Sequence, residues 1–260
     1  MTAATPRHAA TIFTGRFGSG KSETAINYAL GLARGNPLVA AQSDAVQPGH
    51  RNHSTGKTGM ESADVILVDL DIITPYFRSR EAREAMLEEG VEVIAPSEVG
   101  MHLHTPAITP QILGAVQQVE RPTVLDAGGD RQGARSLGQY SAAIQQRGYT
   151  MHFVVNPFRP YTGTLDGLAA SIAEIETSAR LEVTSLVSNP NLMRETVIED
   201  IVEGHARTVG FSQQLGLPVA FVCVERRWMG KLDGQQVGQR ILPLDRFFVH
   251  SWEDRPETGH

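Results

Sequence analysis

Eight residues near the start, Gly15-Arg16-Phe17-Gly18-Ser19-Gly20-Lys21-Ser22, constrain this chain more than anything else in it. Before them, Ala9–Thr14 is a short apolar run of strand character. After them, Ser22–Arg34 carries Ala25, Ile26, Ala29, Leu30 and Ala33 at helical spacing. Strand, glycine-rich turn and helix in that order match the phosphate-loop pattern G-x-x-x-x-G-K-[ST]. Glycines let the backbone curl until successive N–H groups point at one anion, and the following helix offers its positive end to the same charge. Lys21 reaches the outer phosphates of a nucleotide, and the Ser22 hydroxyl suits Mg2+. Gly15, Arg16, Phe17, Gly18, Ser19, Gly20, Lys21 and Ser22, with Glu23 in the first helical turn, are therefore the candidate nucleotide-binding residues. A second triplet, Gly56-Lys57-Thr58, has no preceding strand and no glycine five residues earlier, and reads as a decoy.

The rest of the chain continues the alternation. Val65–Leu70 is a continuous apolar run, as in a strand buried on both faces. Strands are expected at Val91–Ala95, Thr123–Leu125, Met151–Val155, Val183–Val187 and Pro218–Val224. Helices are expected at Arg78–Glu89, Thr109–Val119, Thr164–Thr177 and Glu195–Leu215, the last closed by Gly216. Such alternation implies βαβ units. The expected fold is α/β, a three-layer P-loop NTPase fold with a mostly parallel central sheet flanked by helices on both faces. Residues 1–230 read as the nucleotide-binding domain, with 40–63 a flexible polar insertion. Residues 231–260 read as a non-regular C-terminal arm that packs on the core or on a partner.

Composition removes other classes. In 260 residues, 41% are apolar and 20% charged, an ordinary globular balance. The one cysteine, Cys223, excludes an intrachain disulfide framework or cysteine metal cluster, and its place inside an apolar run reads as core. The formal net charge of −6 disfavours coating DNA or an anionic membrane. No stretch approaches a membrane span, and Met1–Ala10 lacks a signal-peptide core, so the expectation is a soluble cytoplasmic protein.

Three carboxylates follow the apolar runs. Asp69 and Asp71, two residues apart, share one side of an extended chain at the carboxyl end of a strand. Asp126 ends another strand and is followed by Ala127-Gly128-Gly129-Asp130. An aspartate there suits Mg2+ or its waters, and the glycines suit a segment that responds to a γ-phosphate. Read alone, each aspartate is equally a strand-end cap.

Together these residues resemble the MinD/ParA/CobQ-CobB-like P-loop ATPase family of the SIMIBI class, over most of Thr11 to Val224. Many members carry a deviant Walker A loop whose first lysine reaches a partner's nucleotide in a sandwich dimer. Arg16 stands at that position here and keeps the positive charge, whereas Phe17 replaces a glycine. The resemblance implies ATP and Mg2+ as cofactors and a homodimer. It implies Lys21, Asp71 and Arg16 as catalytic, with Asp71 positioning water and Arg16 acting in trans. It also implies Ser22, Asp69 and Asp126 at the metal, 75–80 as switch I and 126–130 as switch II. Ser188-Asn189-Pro190-Asn191 lacks the aspartate that completes a guanine-reading Asn-Lys-x-Asp, so ATP is favoured. Asn189 is either the adenine contact or an Asx-turn residue before Pro190.

Several uses of such a domain compete. A dimerising ATPase switch acting on an unidentified protein partner is the leading reading. Tyr76-Phe77 beside Arg78 and Arg80 suit a surface that changes with nucleotide. Alternatives are an ATP-dependent ligase or small-molecule kinase of the CobQ/dethiobiotin-synthetase type, with a pocket near His102 and His104, and a nucleotide-sensing module without useful turnover. The lone Cys223 disfavours a metallocluster carrier. The tail offers no basic amphipathic helix for a membrane and no Lys/Arg cluster for DNA.

Overall fold

The strand preceding the glycine loop, β1 (Ala10–Thr14), is buried along its whole length and lies in the middle of one sheet. The computed structural model describes residues 8–36, 64–70, 80–95, 109–232, 237–238 and 240–247. The other strands are β2 (Val65–Asp69), β3 (Val91–Ile94), β4 (Thr123–Asp126), β5 (Tyr149–Val155), β6 (Ser185–Ser188), β7 (Val219–Glu225) and β8 (Ile241–Leu244). Their order is β3-β2-β4-β1-β5-β6-β7-β8. Every pairing among them is parallel. The helices are α1 (Lys21–Ala33), α2 (Arg80–Glu88), α3 (Pro110–Gln117), α4 (Arg131–Gly138), α5 (Ser141–Arg147), α6 (Leu165–Ala179) and α7 (Ile198–Leu215).

The two faces follow from the period of two. Ile12, Ile66, Val68, Leu125 and Phe153 point to one face and pack on Ile112, Leu137, Ile144 and Leu168 of α3 to α6. Phe13, Val65, Leu67, Val124 and Val154 point to the other, against Ile26, Tyr28 and Leu30 of α1 and Met86 of α2. Each fully buried large side chain contributes about 1.5–3 kcal/mol. This two-faced burial explains why β2 is a continuous apolar run.

The structure corrects one expectation and adds two features to the others. The reading of 231–260 as a non-regular arm fails for Ile241–Leu244, which form β8 and pair with the outer edge of β7. Pro243 is tolerated because an edge strand has one unpaired side. Second, α1 buries Thr24, Asn27 and Tyr28 as well as the expected Ala25, Ile26, Ala29, Leu30 and Ala33. Tyr28 packs on Phe13 and Phe221 of the sheet and Thr24 lies against Cys223, while the chain leaving β8 covers Asn27: its Nδ2 donates to Asp245 O at 2.9 Å, and its Oδ1 accepts from Asp245 N at 2.8 Å. Third, α4 and α5 were not expected. Asp130 caps α4, its Oδ1 accepting from Gly133 N at 2.7 Å. The polar insertion 40–63 and the tail from 248 onward lie outside the described residues, as do His102, His104 and the start of the Arg78–Glu89 helix.

Candidate functional site

The glycine loop lies where the topology reverses. From β1 the chain crosses to β2, comes back through β3 to β4 beside β1, then moves to β5 on β1's other side. In an open parallel sheet the crevice outside the carboxyl ends of the strands at such a point is where ligands bind. The loop joins Thr14, the last residue of β1, to Lys21, the first of α1. Gly20 caps α1 with φ 83° and no side-chain cap, a left-handed conformation that glycine adopts without strain. A Cβ there would also lie 2.2 Å from Asn189 Nδ2.

Neighbouring strand ends hold the loop in shape. Asn189 Nδ2 donates to Ser19 O at 2.7 Å, and Arg159 Nε donates to Gly18 O at 3.2 Å. Ser19 N donates back to Arg16 O at 3.0 Å. Thr24 Oγ1 donates to Gly20 O at 2.9 Å, with Cys223 Sγ behind it at 3.6 Å. Burial pushes that thiol up to about 12, so Cys223 is inert core. Gly129 lies against the loop's other side, where a Cβ would come within 1.7 Å of Gly15 O. Lys21 is buried, Ser22 half-buried, and the Ser19 hydroxyl is buried with no hydrogen-bond partner among the described residues. Phe17, by contrast, is 83% exposed at the rim.

Two of the three predicted metal residues, Asp69 and Asp126, come together. Asp69 and Asp126 are register partners at the carboxyl ends of β2 and β4, both buried. Two carboxylates side by side away from water repel each other unless a cation or proton intervenes. That donor set fits Mg2+, which takes one or two carboxylates and fills its remaining positions with water and phosphate oxygens. Among the described residues there is no group of three His, Cys, Asp or Glu able to hold a metal by itself. Asp71 and residues 75–79 of the expected switch I segment, including Tyr76, Phe77 and Arg78, lie outside the described residues.

Arg16 turns back onto its own chain. Its Nε donates to Ser171 Oγ at 2.9 Å, and its Nη2 pairs with Glu174 Oε2 on α6. Its Nη1 lies 3.5 Å from Gly129 O, and the guanidinium stacks 5.6 Å over the Tyr161 ring. The hydrogen bond from Arg16 holds the Glu174 carboxyl below its ordinary range. Glu23 points away from the loop, its Oε1 accepting from Phe247 N at 2.9 Å.

Three contributors were not legible in the sequence reading. Asn156 Nδ2 donates to Asn191 O at 2.8 Å, tying the end of β5 to the end of β6. The signal was available, since β5 and β6 are each followed by Asn-Pro, Asn156-Pro157 and Asn189-Pro190. Arg159 and Glu174 left no local signal, because their partners are more than 100 residues away in sequence.

A parallel sheet with helices on both faces, and a glycine loop running from its central strand into a buried helix, is the P-loop NTPase fold. No family model and no curated protein matches the chain. Among solved structures it is similar to FtsY from Mycoplasma mycoides, at a TM-score of 0.49 and 13% identity over 86% of this chain and 62% of that one. It is also similar to chloroplast FtsY from Physcomitrella patens, at 0.49 and 16% over 83% and 58%. A third is the signal recognition particle 54 kDa protein from Aeropyrum pernix K1 in complex with GDP, at 0.45 and 14% over 85% and 42%. Likeness at this level assigns no activity, and the chain spans less than two thirds of the length of each. Among the described residues no helix is long and apolar enough to cross a membrane.

Proposed function

We propose that this chain is a Mg2+-dependent ATPase of the MinD/ParA type, a nucleotide-driven dimer switch acting on a partner protein. The observation that carries the reading is that loop Gly15–Ser22 and the paired, buried Asp69 and Asp126 follow or end three neighbouring strands, β1, β2 and β4, at their carboxyl ends. The loop amides bind the phosphates, and Lys21 stabilises charge that develops on the γ-phosphoryl oxygens. Ser22, Asp69 and Asp126 would hold Mg2+, which when bound neutralises phosphate charge. Asp71 orients the attacking water. Asn189 positions the loop through Ser19 O and keeps its Oδ1 to accept from the amino group of adenine.

Arg16 is the switch element of this reading. Within one chain it is held by Glu174, Ser171 and Gly129 O. To act in trans it must exchange those partners for a neighbour's phosphate, so turnover by the monomer is slow. An arginine supplied across an interface is worth ~10³-fold or more.

Titration with fluorescent ATP and GTP analogues, with and without Mg2+, tests the assignment. The expected result is Mg2+-strengthened binding that prefers adenine and is lost in Lys21→Ala. Asp71→Ala is expected to bind normally and turn over slowly. Tight binding by Lys21→Ala would overturn the phosphate-loop assignment, and a preference for the GTP analogue would overturn the adenine reading. Light scattering then compares ADP with a non-hydrolysable ATP analogue. One unchanged mass in both states would sink the dimer switch.

A further inference from the structure

Away from the phosphate loop, three arginines face one groove between α4 and α6. It has a volume of about 500 Å3 and is lined by Arg131, Arg135, Glu174, Thr177, Ser178 and Arg180. Arg131 and Arg135 are one helical turn apart on α4, and all three arginines are exposed. Glu174 is the one acid on the groove wall, and it is already engaged by Arg16, with Arg131 Nε 3.7 Å from its other oxygen. Among the described residues the guanidinium groups of Arg135 and Arg180 form no hydrogen bond or ion pair. A chain of formal net charge −6 therefore gathers three cations around a single committed carboxylate.

The backbone at Arg180 adds a second observation. Arg180 closes α6 in the left-handed conformation, φ 56° and ψ 36°, a position that helices usually give to glycine or asparagine. A residue with a Cβ there costs about 1–2 kcal/mol. The conformation is held by Arg180 N donating to Glu176 O at 2.8 Å and by Gln145 Nε2 donating to Arg180 O at 3.0 Å. The cost is borne while a charged side chain is presented at the groove.

We propose that the groove between α4 and α6 is a docking site for an acidic peptide segment of a partner protein, whose carboxylates pair with Arg131, Arg135 and Arg180. Guanidinium groups match carboxylates in planar, two-pronged pairs. The short side chains of Ala173, Thr177 and Ser178 leave room for an extended backbone; Thr177 Oγ1 donates to Ala173 O at 2.8 Å and keeps its lone pairs to accept from a peptide N–H. Three cations in an acidic chain are too few to track a run of phosphates, which disfavours nucleic acid. The wall residue Glu174 also touches Arg16, so an occupied groove lies one side chain from the phosphate loop.

Anisotropy of a fluorescein-labelled hexa-aspartate peptide, titrated with the full chain without nucleotide, tests the site independently of the ATP assignment. Saturable binding that weakens with salt is expected. R135E and R180E should each weaken it about tenfold, the scale of one charge-assisted hydrogen bond. E174Q, which removes a like charge from the wall, should tighten it. R83E is the control: Arg83 is exposed on α2, on the opposite face of the sheet, and its reversal changes net charge by the same amount. Melting curves confirm that each variant is folded. No saturable binding, or equal weakening by R83E, would overturn the proposal. So would an oligothymidine of the same charge that binds more tightly and loses that binding in R135E, since the site would then be one for nucleic acid.

Discussion

Replacing Gly129 by alanine probes the joint between the phosphate loop and the segment after Asp126. The added Cβ would fall 1.7 Å from Gly15 O, 2.6 Å from Gly15 C and 3.1 Å from Arg16 Cα. All three are main-chain atoms, so no rotamer change relieves the clash. Reaching even a 3.0 Å approach to the carbonyl oxygen requires a retreat of about 1.3 Å. Overpacking of this kind costs about 1–3 kcal/mol of stability. A misplacement of about 1 Å in a positioning element can cost ~10²-fold in rate. The expected outcome is a folded protein whose affinity for a fluorescent ATP analogue falls at least ~10-fold, the equivalent of about 1.4 kcal/mol. Gly114→Ala in α3 is the matched control, because a Cβ there meets nothing within 4 Å. Wild-type affinity in Gly129→Ala would refute the argument that this contact shapes the loop.

Arg147→Met should destabilise by about 3–5 kcal/mol, a fall of roughly 10 °C in Tm, by removing donors to His8 O, Ala115 O, Val116 O, Thr123 Oγ1 and Arg121 O. A melting shift under 2 °C would contradict the role of Arg147 as the buried cap of α3. His152 is buried among Phe13, Tyr28 and Phe221, and desolvation pushes it down to about 4 from an ordinary 6.5. The unfolded chain then binds the extra proton between those values, so stability is full above pH 6.5 and is lost as pH falls toward 4. Denaturant titrations at pH 7 and 4.5 should show about 2–3 kcal/mol more loss for the wild type than for His152→Leu. Gly210→Ala, in the interior of α7 with nothing within 4 Å of the new Cβ, should stabilise by about 0.5–1 kcal/mol and raise Tm by a few degrees.

Local chemistry made much of this legible. The glycine loop, the strand before it and the helix after it could be read because phosphate-loop geometry needs glycine at fixed spacing. The buried strands could be read because burial on both faces of a parallel sheet leaves an unbroken apolar run, as in Val65–Val68. The pair α4 and α5 escaped because Arg131–Arg147 is short, broken at Gln139–Tyr140 and rich in glycine and polar residues. Its helices are stabilised by packing Leu137 and Ile144 into the core rather than by intrinsic propensity. β8 escaped because a four-residue strand with a central proline carries little local signal, and its pairing depends on a β7 edge left open.

By itself the sequence determined the class of fold, the loop and the carboxylates, since each is a short-range requirement of backbone geometry or burial. Tertiary structure alone decided how they meet. It set Asp69 beside Asp126 through strand register, and it closed Asn189 and Arg159 over the loop. It also turned Arg16 onto Glu174, 158 residues away. Contacts of that separation are fixed by strand order and helix packing, and no local window of residues encodes them.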